Sequence, residues 1–232
     1  MAPATKAALA IIDFQNDFCP PNGTLAVEGG RDIAKSINEL LSYPFALKLA
    51  TRDFHPADHI SFASQHPGKQ PFTSEHIITN PENAEETQAT RLWPDHCVQG
   101  TPGCELVDEL DKPKLDMVVD KGMDKRVESY SAFGPPFRNP KVAMSGLEET
   151  LGRHGITDVF VVGIAWDYCV RCSAVDAVEH GFRTYVIEEA TRGVDRSEEG
   201  HPATRKALQE AGVRVIGLDA KELQELRTSA GS

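Results

Sequence analysis

The sequence predicts an α/β fold, because short apolar runs alternate with helix-period segments and glycines stand where those helices should end. Runs of strand length fall at residues 7–12, 45–50, 117–119, 159–162, 184–187 and 213–216. The first of them ends at Asp13, and residues 31–41 then place Ile33, Ile37, Leu40 and Leu41 at helical spacing. Residues 147–151, 170–180 and 203–211 have the same character, closed by Gly155, Gly181 and Gly212, the residue type that favours helix C-termini. Alternation of this kind predicts three layers, a mostly parallel sheet flanked by helices on both faces, with right-handed crossovers. Two stretches fit neither period. Residues 54–103 hold prolines, five histidines and Trp93, and residues 122–140 include Gly134, Pro135 and Pro136. Both read as long active-site loops within a single domain spanning 1–232.

Bulk composition narrows the function. The chain is 40% hydrophobic and 25% charged, inside the globular range, and its net charge of -11 argues against a nucleic-acid or anionic-membrane partner. Residues 1–10 lack the basic start and apolar run of a signal peptide, and no stretch has the roughly 20 apolar residues that span a bilayer. A cytoplasmic protein is expected, with homo-oligomers left open. Cys19, Cys97, Cys104, Cys169 and Cys172 make an odd number of thiols, which fits reduced cysteines better than a disulfide framework. The spacing of Cys169 and Cys172 matches redox motifs, but nothing thioredoxin-like surrounds them.

In an open parallel sheet, ligands bind outside the carboxyl ends of the strands. The first strand runs into Asp13, the second into Asp53, the third into Lys121, and the fourth, through Gly163 to Asp167, into Cys169. Taken singly, each has an ordinary structural role as turn former, solvated charge or buried thiol. Together at equivalent strand ends they point to an active site. Cys169 opens a helix near Tyr168, where free backbone N–H groups are expected to lower a thiol pKa and to face a developing oxyanion. Asp53 and His55 lie two apart in extended chain and so point to one side, where they can share an ion. His59 and His96 are further candidates. A mixed carboxylate and imidazole set suits one divalent metal ion, zinc first, with manganese or iron(II) as alternatives.

Several ordered stretches carry a family resemblance: Asp13-Phe14-Gln15-Asn16-Asp17-Phe18, Asp53-Phe54-His55-Pro56, Trp93-Pro94-Asp95-His96-Cys97-Val98, Lys121-Gly122 and Gly163-Ile164-Ala165-Trp166-Asp167-Tyr168-Cys169-Val170. In these the chain resembles the nicotinamidases of the isochorismatase-like cysteine hydrolases, and Tyr130-Ser131-Ala132-Phe133 resembles their fungal-type branch. The resemblance implies a six-stranded parallel sheet, a catalytic triad of Asp13, Lys121 and Cys169, metal ligands Asp53, His55 and His96 with His59 as a candidate fourth, and a cis peptide between Ile164 and Ala165. That peptide would turn the Ala165 N–H towards an oxyanion hole shared with the Cys169 N–H. The metal motif separates these relatives from those acting on carbamoylated or ureido substrates. It implies nicotinamide as the substrate, with the ring nitrogen meeting the metal or its bound water, Phe18 and Trp93 enclosing the ring, and Tyr130 and Tyr168 completing the pocket. The chain departs from the common pattern at Trp166, where many relatives carry a small residue, and at Tyr168, where some bacterial members have His. Two rival readings stand beside this one. One is an amidase of the same superfamily acting on another small amide; the other is a non-catalytic metal-binding scaffold, which would have no reason to keep Asp13, Lys121 and Cys169 together.

Overall fold

A computed structural model describes residues 5–228, so Met1–Ala4 and the last residues of the expected 1–232 domain lie outside the described residues. In chain order the elements are β1 (Ala7–Ile12), α1 (Ala34–Leu41), β2 (Leu47–Asp53), β3 (Glu75–Asn80), β4 (Asn83–Arg91), β5 (Met117–Lys121), α2 (Leu147–Arg153), β6 (Asp158–Ile164), α3 (Arg171–Glu179), β7 (Arg183–Arg192), α4 (Gly200–Glu210), β8 (Arg214–Ile216) and α5 (Lys221–Thr228). Six of the strands form one sheet in the order β5-β2-β1-β6-β7-β8. Every neighbouring pair in it is parallel.

Because side chains alternate along a strand, the apolar run of β1 feeds two cores. Leu9 and Ile11 face α1 and α5 in a cluster with Ile37, Leu40, Leu41 and Leu223. Ala8, Ala10 and Ile12 face α2, α3 and α4 in a cluster with Leu147, Leu151, Ala174, Ala177 and Leu208. The three predicted layers are therefore present, with β1 at the centre. From β1 the chain builds outward through β2 to β5 on one side, and through β6, β7 and β8 on the other. The direction of winding reverses between β1 and β6, and a crevice opens at the carboxyl ends of strands at such a switch point. Asp13 and Cys169 follow those two strands. Where the strands approach there, Gly163 has φ 111° and a Cβ on it would lie 2.1 Å from Ile12 O, so no side chain fits.

Three expectations need correction. Residues 54–103 are not irregular throughout: β3 and β4 pair antiparallel as a separate two-stranded hairpin. Its strands are polar, with NAEETQATR in β4 exposed along most of its length, so no apolar run announces them. The helix expected at 170–180 is preceded by a π turn, Trp166–Val170, which carries Cys169. Finally β2 and β5 extend past the expected ends, so that Asp53 and Lys121 are the last residues of the ladder and face each other in register. The Ile164–Ala165 peptide is cis.

Candidate active site

At the switch point four side chains meet in a buried cluster. Asp13 has no exposed surface, and Lys121, Asp53 and Cys169 are 3%, 4% and 6% exposed. The Lys121 ammonium sits 2.9 Å from Asp13 Oδ2 and 2.5 Å from Asp53 Oδ1. It also donates to Ser129 O at 3.0 Å and to Cys169 Sγ at 3.5 Å. One ligand atom each from Asp13, Asp53 and Cys169 falls within 4.8 Å of the others. Thr51 fixes the Asp13 carboxylate by donating to Oδ1 at 2.6 Å, and its hydroxyl oxygen accepts the Asp13 N–H at 3.1 Å. Asp13 Oδ2 is the oxygen that Thr51 leaves free, and it faces the Lys121 ammonium at 2.9 Å and the Cys169 thiol, the place from which it can take a proton.

The electrostatics follow from burial and from who neighbours whom. Burial, helped by the nearby Asp53 charge, raises the Asp13 pKa to about 6 against the pull of Lys121. Burial disfavours the ammonium of Lys121, but Asp13 and Asp53 together outweigh it and hold the lysine protonated well above its usual range. Desolvation likewise works against the Asp53 carboxylate, and Lys121 and His55 overcome it to keep Asp53 ionised. The thiol differs from the sequence expectation. Burial, then the carboxylates of Asp13 and Asp53, push Cys169 well above a free cysteine, and Lys121 offsets this only in part. The position near a helix start does not win, because Cys169 is enclosed in the π turn with two anions beside it. The resting thiol is neutral, so a base must take its proton.

Beside this cluster, Asp53 turns its second oxygen to two imidazoles. Asp53 Oδ2 lies 3.6 Å from His55 Nε2 and 3.8 Å from His96 Nε2. The opposite ring nitrogens donate to carbonyls, His55 Nδ1 to Gly122 O at 2.9 Å and His96 Nδ1 to Pro94 O at 2.7 Å. Both Nε2 atoms are thereby fixed as lone-pair donors, the arrangement that metal-binding histidines adopt. His55 Nε2 is buried without any hydrogen-bond partner, which an ion would supply. Residues Asp53, His55 and His96 thus fit a divalent metal. His96 reaches this place because the chain after it pairs with the continuation of β2: His55 N–H donates to Cys97 O and Gln99 N–H to His55 O, at 3.0 and 2.9 Å. Gly122 is required here, since a Cβ would come within 2.4 Å of the His55 ring.

His59 does not join the ligand group. Its Nε2 donates to Val127 O at 3.0 Å and its Nδ1 accepts from Ser61 Oγ at 2.8 Å, so both nitrogens are committed. Burial and the neighbouring His55 lower its pKa to about 4, and it packs as a neutral ring 4.1 Å from that of His55.

Two site residues went unread in the sequence. Gln15 has no exposed surface and acts as a strand in miniature: its amide donates to Asp53 O and Cys104 O and accepts the Asp53 N–H, each at 2.8 Å. It holds the backbone from which Asp53 divides its two oxygens between lysine and histidines. The DFQNDF stretch contained it, but only the pairing across 38 residues reveals the role. Glu128, 6% exposed, lines the pocket beside Asp53 and His96, and no periodicity in 122–140 marks it.

The pocket over Cys169 is lined by Phe18, Trp93, Tyr130, Ala165 and Tyr168 among others, and its volume is about 30 Å³. All four expected aromatic wall residues and both expected oxyanion-hole residues therefore border it. A larger groove of about 700 Å³ lies at the opposite, amino-terminal edge of the sheet. Its cations are already paired, Arg183 with Asp158 at 2.7 Å, Arg214 with Glu222 at 2.6 Å and Lys221 with Glu225 at 3.1 Å, and neither cysteine nor histidine is among its lining residues.

A three-layer parallel fold with a buried thiol, carboxylates and lysine at its switch point defines a class of α/β hydrolases. Within that class the chain belongs to the isochorismatase family, whose domain model matches residues 7–220. It is 39% identical to a nicotinamidase of Acinetobacter baylyi over 93% of this chain and 94% of that protein. Among solved structures, the yeast nicotinamidase bound to the inhibitor nicotinaldehyde aligns with a TM-score of 0.85 at 32% identity, covering 91% of this chain and 99% of the other. A pyrazinamidase of Pyrococcus horikoshii in complex with zinc aligns with a TM-score of 0.70 at 30% identity, over 91% and 99% of the two chains.

Proposed function

We propose that the protein is a metal-dependent nicotinamidase, hydrolysing nicotinamide to nicotinate and ammonia through a thioester on Cys169. What carries the reading is the meeting, in one aromatic-walled pocket, of a neutral thiol, a carboxylate with pKa raised to about 6 and a protonated lysine, next to the Asp53, His55 and His96 group. Asp13 takes the Cys169 proton as Sγ attacks the carboxamide carbon. The N–H groups of Ala165 and Cys169 receive the oxyanion. Asp13 returns its proton to the amide nitrogen as the C–N bond breaks and ammonia leaves. A water then attacks the thioester carbon while Asp13 accepts its proton, and the C–S bond breaks to give nicotinate and restore the thiol. Throughout, Lys121 holds the carboxylates of Asp13 and Asp53 apart and stabilises negative charge at Sγ. Phe18, Trp93, Tyr130 and Tyr168 clasp the ring and exclude water.

A divalent ion held by Asp53, His55 and His96 would supply a localised positive charge and Lewis acidity beside the pocket, and we assign zinc on the donor set and on the zinc-bound pyrazinamidase relative. The match over residues 7–220 supports one hydrolase domain. No helix among the described residues is long and apolar enough to cross a membrane. The net charge of -11 suits a small-molecule substrate better than nucleic acid, and a cytoplasmic location is part of this proposal.

Ammonia release from nicotinamide, with and without prior chelation, tests this reading. Turnover that is lost on chelation and restored by zinc is expected; faster release from another small amide would give the rival amidase instead. The pH profile follows from Asp13. It must be unprotonated to accept the thiol proton, so kcat/KM rises with pH up to about 6 and falls about tenfold per unit below it. A profile flat between pH 5 and 7 would remove Asp13 as the base.

A further inference from the structure

The space over Cys169 is about 30 Å³, room for roughly one water. A pyridine carboxamide is several times larger, so on the nicotinamidase reading one wall must yield to admit it. The walls are not equally held. Tyr130 is clamped from within: its hydroxyl accepts the Trp93 Nε1 hydrogen at 2.8 Å and bonds Thr90 Oγ1 at 3.1 Å, and both Trp93 and Thr90 are buried. Tyr168, next to the nucleophile in the π turn, is held from outside. Its hydroxyl accepts a hydrogen bond from Arg91 Nη1 at 2.9 Å, and Arg91 is exposed. The Arg91 guanidinium also lies 5.9 Å from the Trp93 ring, which in turn meets the Tyr168 ring edge-on at 5.0 Å. One cation at the end of β4 thus spans the two facing walls of the pocket.

We propose that Arg91 is a specificity-determining residue, the latch that holds Tyr168 against Trp93 and restricts the site to single-ring carboxamides. A hydrogen bond open to water is easily exchanged for one to solvent, so the latch opens for admission while the buried Tyr130 clamp keeps the inner wall. Closed, it leaves room for about one water, so a single ring must part it a little and a second ring must part it further, and its strength weighs most against the larger amide. The hairpin's contribution is therefore discrimination by size, exercised through a side chain that does not touch the reacting atoms.

The test compares kcat/KM for quinoline-3-carboxamide, a two-ring analogue, with that for nicotinamide in wild type, Arg91→Ala, Tyr168→Phe and the double variant, by ammonia release. Each single change removes the same hydrogen bond, so each should raise the ratio in favour of the larger amide by about tenfold, and the double variant should raise it no further than the singles. Arg91→Lys, which keeps the charge without the guanidinium fork, should fall between wild type and Arg91→Ala. A merely structural role would lower turnover of both amides alike. An unchanged ratio, or single effects that add in the double variant, overturns the latch. A wild-type enzyme that releases no ammonia from nicotinamide overturns the nicotinamidase reading, and the latch with it.

Discussion

On the proposed thioester mechanism, Cys169→Ala is expected to fold, bind metal and release ammonia from nicotinamide at least about 10⁴-fold more slowly than wild type, the scale of losing a covalent nucleophile. No other thiol can replace it. Cys19, Cys97 and Cys104 are buried away from the pocket lining, and Cys172 borders a different cavity on the far side of Tyr130. The fold should tolerate the change, because Lys121 keeps both carboxylates and its Ser129 carbonyl when Sγ is removed. The His55, His96 and Asp53 group is untouched. Measuring ammonia, metal content and melting temperature on one preparation separates chemistry from folding. Turnover within tenfold of wild type would sink the thioester mechanism, and Cys172→Ala at wild-type rate is the matching control.

The parts of the site legible in the sequence are those that depend on strand direction. Asp13, Asp53, Lys121 and Cys169 each end or follow an apolar run, and parallel strands put all such ends at one edge, so their convergence needed no knowledge of loops. His96 was harder, because its approach to His55 depends on residues 97–99 pairing with the backbone of His55, an arrangement with no local signature. His59 shows the converse. Its spacing from His55 invited a ligand role, and what removes it are acceptors and donors from Val127 and Ser61, one of them far away in sequence. The hairpin carrying Arg91 was missed because its strands are solvated on most positions and have no apolar face to betray them. The thiol's pKa was misjudged for a related reason. A helix start can be read from sequence, but the burial of the sulfur, and after it the two carboxylates packed beside it, cannot.

Asp53 serves both halves of the site, and that makes Asp53→Asn the more informative companion to His96→Ala. Both variants remove a proposed metal ligand, so on that proposal both should lose metal affinity by more than the roughly 10–100-fold typical of changes one shell further out. Only one of them reaches the proton-transfer half. Asp53 raises the Asp13 pKa by repulsion and competes with Asp13 for the Lys121 ammonium. Neutralising Asp53 removes the repulsion and leaves Lys121 to Asp13 alone, which favours the ionised carboxylate, so the acid limb of residual kcat/KM moves below about 6. His96→Ala leaves the Asp53 charge in place and gives no such downward shift. Assayed with excess zinc, the two variants therefore share a metal defect and part company in their pH profiles. Coincident acid limbs would mean that the Asp53 charge does not reach the base, and that the metal group and the thiol cluster are neighbours without being coupled.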